Sequence, residues 1–236
     1  MSLGSVVHEL ALGKGGGFEI YEGDSWRSKE AREFYDFAQS LGKTPTKRAD
    51  FDRASEIVTN LRASLHEWGL DYVLTEGESE KAAVWKEGEH YMRAMFDRWI
   101  PSRNEIWDIK TTGKSAHPEQ ISRIVPAMHY DLRSEFYLMG AAKLTGIPAV
   151  KGGLGFQFLF VETEPPYAVT PCFLDASFRE RGKREAFKAI DTWKRCMESN
   201  NWPGYVNGAV EIQAPGWVDF EIEDGSEITT STEKVI

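Results

Sequence analysis

Residues 96–112, FDRWIPSRNEIWDIKTT, read as two strands joined by a turn, with Asp97, Asp108 and Lys110 set among apolar neighbours. Side chains alternate across a strand, so Asp108 and Lys110 share one face of the second strand while Trp107 and Ile109 take the other. With Arg103 and Asn104 as the central turn residues, Asp97 lies opposite Lys110 and diagonal to Asp108. Three charged groups then converge on a face that cannot be ordinary core.

Two neighbouring carboxylates repel, and the repulsion raises a pKa unless a cation lies between them. Carboxylates, a backbone carbonyl and water form the oxygen set that suits Mg²⁺ or Mn²⁺. Such an ion holds a phosphate oxygen and activates water, and a lysine beside it supplies a point charge that does not compete for the metal. The chemistry implied is phosphodiester hydrolysis. An isolated D-x-K is common, however, and on its own it reads as a surface hairpin with a cross-strand ion pair.

Outward from the hairpin, the hydrophobic pattern alternates between periods. Residues 28–42 read as a helix carrying Phe34, Phe37 and Ala38 and ending at Gly42. Residues 49–69 read as a second, with the stripe Ala54, Ile57, Val58, Leu61 and Leu65 closed by Gly69. The period then shortens to two over 81–88, 90–101 and 105–112, which predicts an antiparallel meander. Val125, Met128, Leu132, Phe136 and Met139 predict one helix over 126–144. Strands over 156–162 and 167–175 precede a long helix over 181–199, and residues 210–224 read as a weak strand pair or a loose acidic tail. The expected architecture is an α/β fold, a mixed central sheet flanked by helices.

The 236 residues suffice for one substantial core, and no Gly/Ser/Pro-rich linker divides them. No apolar run is long enough to cross a bilayer, so no membrane partner is expected, and "SVVHELALG" lacks the basic leader and cleavage site of a signal peptide. Cys172 and Cys196 are too few for a disulfide framework or zinc knuckle and fit a reducing cytosol. The net charge of -9 argues against coating nucleic acid by electrostatics alone, yet Arg179, Arg181, Lys183, Arg184 and Lys188 form a basic cluster. Such a cluster is either a solvated helix start or a contact to the DNA backbone.

Several segments, in order, resemble the PD-(D/E)XK nucleases, and within them the RecE-type exonucleases (exonuclease VIII relatives) of phages and prophages. The acid of "FDRW", the D-x-K-T-T of "WDIKTTGKSAHPE" and the helix "MHYDLRSEFYLMGA" carry the likeness, with "GSVVHELALG", "EKAAVW", "ETEPPY" and "CMESNNWPGY" around them. The resemblance implies a restriction-endonuclease-like fold over residues 1–205, with 206–236 as an acidic extension. It also implies a metal-dependent exonuclease that degrades linear double-stranded DNA in the 5′ to 3′ direction during phage-type recombination. Asp97 and Asp108 would then be metal ligands, with the Ile109 carbonyl and His8 beside them. Lys110 would be the catalytic lysine and Glu80 an outer ligand or water-positioning acid. A cytoplasmic bacterial host, a single-strand annealing partner and a homo-oligomeric ring follow from the same analogy. One position departs: Tyr130 is kept, but Arg133 stands where the family has glutamine, and it would either grip phosphate or pair with Asp131, Glu135 or a metal ligand.

Three readings therefore stand side by side. The acid-acid-lysine constellation favours the exonuclease; Arg133 favours a nuclease-fold protein that binds DNA ends with weakened catalysis; and the acidic balance favours an assembly protein that keeps only the fold.

Overall fold

The computed structural model describes residues 3–214, which divide into two units between Lys194 and Arg195. In chain order the elements are α1 (Leu3–Leu12), β1 (Phe18–Tyr21), α2 (Lys29–Ser40), β2 (Thr44–Lys47), α3 (Arg48–Glu67) and the short α4 (Tyr72–Thr75). There follow β3 (Glu78–Glu87), β4 (His90–Ile100), β5 (Glu105–Thr112), α5 (Pro118–Ala127) and α6 (Tyr130–Thr145). β6 (Gly155–Glu162), β7 (Val169–Phe173) and α7 (Ala176–Ser199) complete the set. Among the described residues no helix is long and apolar enough to cross a membrane.

The main sheet has five strands in the order β3-β4-β5-β6-β7, all antiparallel except the central β5–β6 pair. That parallel pair requires a crossover, which α5 and α6 supply. Strand alternation sorts the core into two clusters. Ile106, Phe156, Phe158 and Phe160 pack with Val125, Leu138 and Ile190, while Trp107, Ile109, Leu159 and Val161 pack with Val7, Ile57 and Leu61. The α3 stripe is buried at all five expected positions. The expected mixed α/β layering is what the chain adopts.

Four details differ from the sequence reading. Pro101–Arg103 form a 3₁₀ turn and Asn104 takes the left-handed region at φ 56°, so Arg98, not Asp97, ends the β4–β5 ladder opposite Trp107. The hairpin is thus displaced by an even number of residues, which leaves every side chain on its expected face and turns Asp97 toward Asp108 rather than Lys110. The helix expected over 126–144 is two helices, because His129 adopts φ 52° and Met128 is 57% exposed. β1 and β2, a parallel pair, carry too few residues for a period to register. The strand pair expected over 210–224 lies mostly outside the described residues, and Val210–Ala214 form no strand.

Helix α6 is held from two sides by missing side chains. A Cβ on Gly140 would lie 2.5 Å from the Trp85 ring of β3, and one on Gly182 would lie 2.3 Å from the Asp131 carbonyl, so β3 and α7 both approach closely. At the α7 contact two buried acids meet two arginines. Asp131, 0% exposed, pairs with Arg181, and Glu135, 1% exposed, accepts from Arg179 Nε at 2.7 Å. Arg179 also donates to the Ala149 carbonyl at 2.8 Å.

Removing one partner of such a pair leaves an uncompensated buried charge. Arg181→Gln should therefore lower unfolding free energy by about 3 kcal/mol, whereas Lys183→Gln with Arg184→Gln, both exposed, should change it by about 0.5 kcal/mol or less. Equal effects in urea denaturation would refute the brace.

Candidate active site

Asp97 sits where the sheet parts. The β3–β4 ladder skips the pair it would make with Glu80, and the β4–β5 ladder stops one residue short of it. Its carboxylate replaces the lost ladder contact: Oδ2 accepts from the Ile109 amide at 2.8 Å and from His8 Nε2 at 3.1 Å. His8 rides on α1, which buries Val6, Val7, Ala11 and Leu12, and its Nδ1 lies 3.8 Å from Glu80 Oε1. The histidine thus bridges two acids from adjacent strands.

Glu80 stands opposite Asp97 with φ 49°, a conformation that costs a non-glycine residue about 1–2 kcal/mol. A network beneath it fixes the segment. Arg98, buried, donates to the Glu76 carbonyl and to the Ser79 hydroxyl, and that hydroxyl donates to the Leu12 carbonyl at 2.9 Å. The chain of contacts ties β4, β3 and the end of α1, so the strands bearing Asp97 and Glu80 and the helix bearing His8 are fixed together. Arg98 escaped the sequence reading because a strand arginine usually points to solvent.

Asp108, 2% exposed, forms a close ion pair with Lys110. Burial pushes the Asp108 carboxyl above its usual range, the Lys110 ammonium opposes that rise, and the Asp97 charge adds to it. Burial works against a charged His8, but the hydrogen bond and charge of Asp97, with Glu80 behind them, hold its imidazole above the usual value. Across the site, then, Asp108 faces the Lys110 ammonium, and Asp97 and Glu80 face the His8 imidazole.

The residues fit a hard divalent cation in their donor chemistry. Even-numbered residues of β5 turn their backbone to β6, as the Asn104 carbonyl to Gly155 N and Thr112 carbonyl to Thr163 N bonds of 2.9 Å show. Odd-numbered residues therefore turn toward β4, where the ladder has ended, so the Ile109 carbonyl faces the gap beside Asp97 without a strand partner. Asp97, Asp108 and this carbonyl make an oxygen set. Among the described residues no three His, Cys, Asp or Glu side chains form a closed cage, so a metal here leans on main chain and water.

The rim comes from α6. The Tyr130 ring lies 5.3 Å from Lys110 Nζ and 5.5 Å from the Arg133 guanidinium carbon, backed by Phe158 and Phe160. Arg133 forms no ion pair among the described residues, since Asp131 and Glu135 are taken by α7. Tyr137, missed in the sequence, continues the same face at i, i+3, i+7 spacing from Tyr130, and burial together with Asp108 raises its hydroxyl pKa. That spacing was readable. A cleft of about 420 Å³ borders the opposite side, lined by His8, Glu9, Lys14, Glu80 and Thr111. Its wall is the glycine-rich loop 13–17, anchored where Gly17 N donates to Glu9 Oε1 at 2.8 Å. The basic cluster does not form one surface: Arg179 and Arg181 turn onto α6, and Lys183 and Arg184 are exposed.

A family model described as "PDDEXK-like domain of unknown function (DUF3799)" matches residues 1–214. The chain belongs to this PDDEXK-like family. Its fold is that of the PD-(D/E)XK nuclease superfamily, and a crystal structure of a proposed exonuclease from Eubacterium rectale agrees. That structure superposes with a TM-score of 0.59 at 13% identity, covering 94% of this chain and 80% of the other. The crystal structure of SSO0001 also matches, at a TM-score of 0.29 and 16% identity over 68% of this chain and 81% of that one, a likeness too distant to inform the fold. No curated protein matches. Asp97 and the Asp108-x-Lys110 pair stand on the adjacent strands β4 and β5 of this fold.

The left-handed Glu80 separates stability from function in this PDDEXK-like site. Glu80→Gly should raise unfolding free energy by about 1 kcal/mol, because glycine adopts φ > 0 without strain, while any hydrolytic activity falls. A loss of stability in thermal denaturation would show that the Glu80 side chain, through His8, is worth more than the strain.

Proposed function

We propose that the protein is a metal-dependent DNA nuclease, an exonuclease acting on linear double-stranded DNA in RecE-type recombination of a phage or prophage. The observation that carries this reading is the break in the sheet at Asp97, which aims two carboxylates, a main-chain carbonyl and a lysine into one gap. Asp97, Asp108 and the Ile109 carbonyl would hold Mg²⁺ or Mn²⁺, with His8 and Glu80 bordering it. A bound divalent ion supplies charge to the phosphate and lowers the pKa of water.

The chain's own residues have separate tasks. The Ile109 amide and His8 orient Asp97; the Lys110 ammonium, a compact cation with three donors, stabilises charge gathering on the phosphate. Tyr130 and Arg133 face the same gap, and Arg133, with no acid partner, is available to a phosphate oxygen. Exposed Lys183, Arg184 and Lys188 are the members of the basic cluster left for the DNA backbone. A 5′ to 3′ direction, an annealing partner and a ring-shaped oligomer rest on the resemblance alone.

A second reading has specific support. Arg133 places a positive charge near Asp108 where the RecE-type resemblance leads to glutamine, which suits a nuclease-fold protein that binds DNA ends and cuts slowly.

Incubation with linear and circular duplex, in Mg²⁺ and in chelator, tests the reading. Linear DNA alone should lose nucleotides, only with metal, and Asp108→Asn should reduce the rate by about a hundredfold or more without altering the fold. Activity of the variant within a few-fold of wild type would refute the assignment. Arg133→Gln separates the two readings: weaker DNA binding with similar turnover marks a substrate grip, and a large gain in turnover marks a restraint on the site.

A further inference from the structure

Beyond Lys110 the sheet opens onto a second cleft, of about 620 Å³, between the end of β5 and helix α5. Lys114, Arg123 and Met128 belong to its exposed lining, and half-buried Gln120, Ile124 and Tyr130 with buried Phe160 lie deeper. None of the residues lining it is an acid, although the chain has 37 Asp and Glu against 28 Lys and Arg. Among the described residues neither Lys114 nor Arg123 forms an ion pair, and both are exposed. In this the cleft contrasts with α7, whose Arg179 and Arg181 are bound to buried acids.

The cleft also joins the candidate active site physically. Tyr130 lines it and lies 5.3 Å from Lys110 Nζ, and Thr111 lines both this cleft and the one holding His8 and Glu80. Its volume falls in the range of sites that enclose a small molecule. Exposed cations, an amide able to meet a base edge, and apolar side chains with an aromatic ring are the components that recognise a nucleotide with its base unstacked.

We propose that this cleft is a nucleotide subsite, which receives one unpaired nucleotide of the DNA strand next to the scissile phosphate. Lys114 and Arg123 hold the flanking phosphates, the base rests on Ile124 and Met128, and the Gln120 amide reaches the base edge. The proposal rests on the nuclease reading for its substrate, and the break between α5 and α6, at Met128 and His129, lies at this cleft beside Tyr130. It moves the strand path from the basic helix α7 to a wall of the site that the sequence did not single out.

The test uses the full chain in chelator, so that no strand is cut. A single-stranded oligonucleotide bearing 5-iododeoxyuridine is crosslinked by light and the labelled peptide mapped. The label should fall within residues 111–130. Lys114→Gln with Arg123→Gln should weaken binding about tenfold and flatten the log–log salt slope by about 1.4, for two phosphate contacts to a single strand. Because both side chains are exposed, the variant should melt as wild type does. Ala127→Glu, at an exposed position on the cleft wall, serves as a second variant: it keeps both cations but obstructs the cleft, and should abolish the crosslink. A label found only outside 111–130, or affinity and slope unchanged in both variants, would overturn the subsite. Hydrolysis of linear DNA by wild type, measured in parallel with Mg²⁺, separates the two claims. Cutting with the crosslink elsewhere overturns the subsite alone; a crosslink in the cleft without cutting upholds nucleotide binding there but overturns the nuclease reading and the placement beside a scissile phosphate.

Discussion

The hydrogen bond from the Ile109 amide to Asp97 is the contact on which the site depends. A continuous antiparallel ladder would have paired β4 and β5 by main chain alone and left no gap. Here the carboxylate takes the place of a backbone carbonyl, the strands separate, and the freed Ile109 carbonyl faces the opening with Asp97. Glu80, left out of the neighbouring ladder, and His8, carried in by α1, complete the lining. One substitution of side chain for main chain thus converts the middle of a sheet into a polar pocket bounded by core on both faces.

Buried charge has two distinct uses in this protein. Asp131 and Glu135, each satisfied by an arginine from α7, brace helix α6, and that helix presents Tyr130, Arg133 and Tyr137 toward the carboxylates. Asp108 and Asp97 are instead paired with groups that themselves reach the pocket, Lys110 and His8. The first pairs are closed within the helix contact; the second leave their oxygens at the pocket, where a metal would share them under the proposed function. Arg98 links the two strands and α1 behind this arrangement and holds Glu80 in its strained conformation.

Legibility in the sequence followed the length and regularity of each signal. The α3 stripe and the β3–β5 meander announced themselves because one period runs through each, and Asp97, Asp108 and Lys110 survived the displaced turn because an even slip preserves faces. The break at Met128 and His129 did not, since apolar spacing continued across it and only a left-handed histidine marks the boundary. Arg179 and Arg181 looked like part of a DNA-binding run because their acidic partners lie on another helix, a relation no local pattern encodes. The Lys114 and Arg123 cleft lies almost wholly within residues 111–130, but two cations nine residues apart carry no periodic signal until α5 turns them to one side.

The central proposal is that the gap beside Asp97 would hold a divalent cation. Loading the protein with Fe²⁺ and adding hydrogen peroxide and ascorbate generates hydroxyl radicals that cut the backbone beside a bound ion, so the ends of the fragments report its position. Cuts should cluster at residues 80, 97 and 108–110 and fade as Mg²⁺ is added. Cuts elsewhere, or cuts that Mg²⁺ leaves undiminished, would contradict the account.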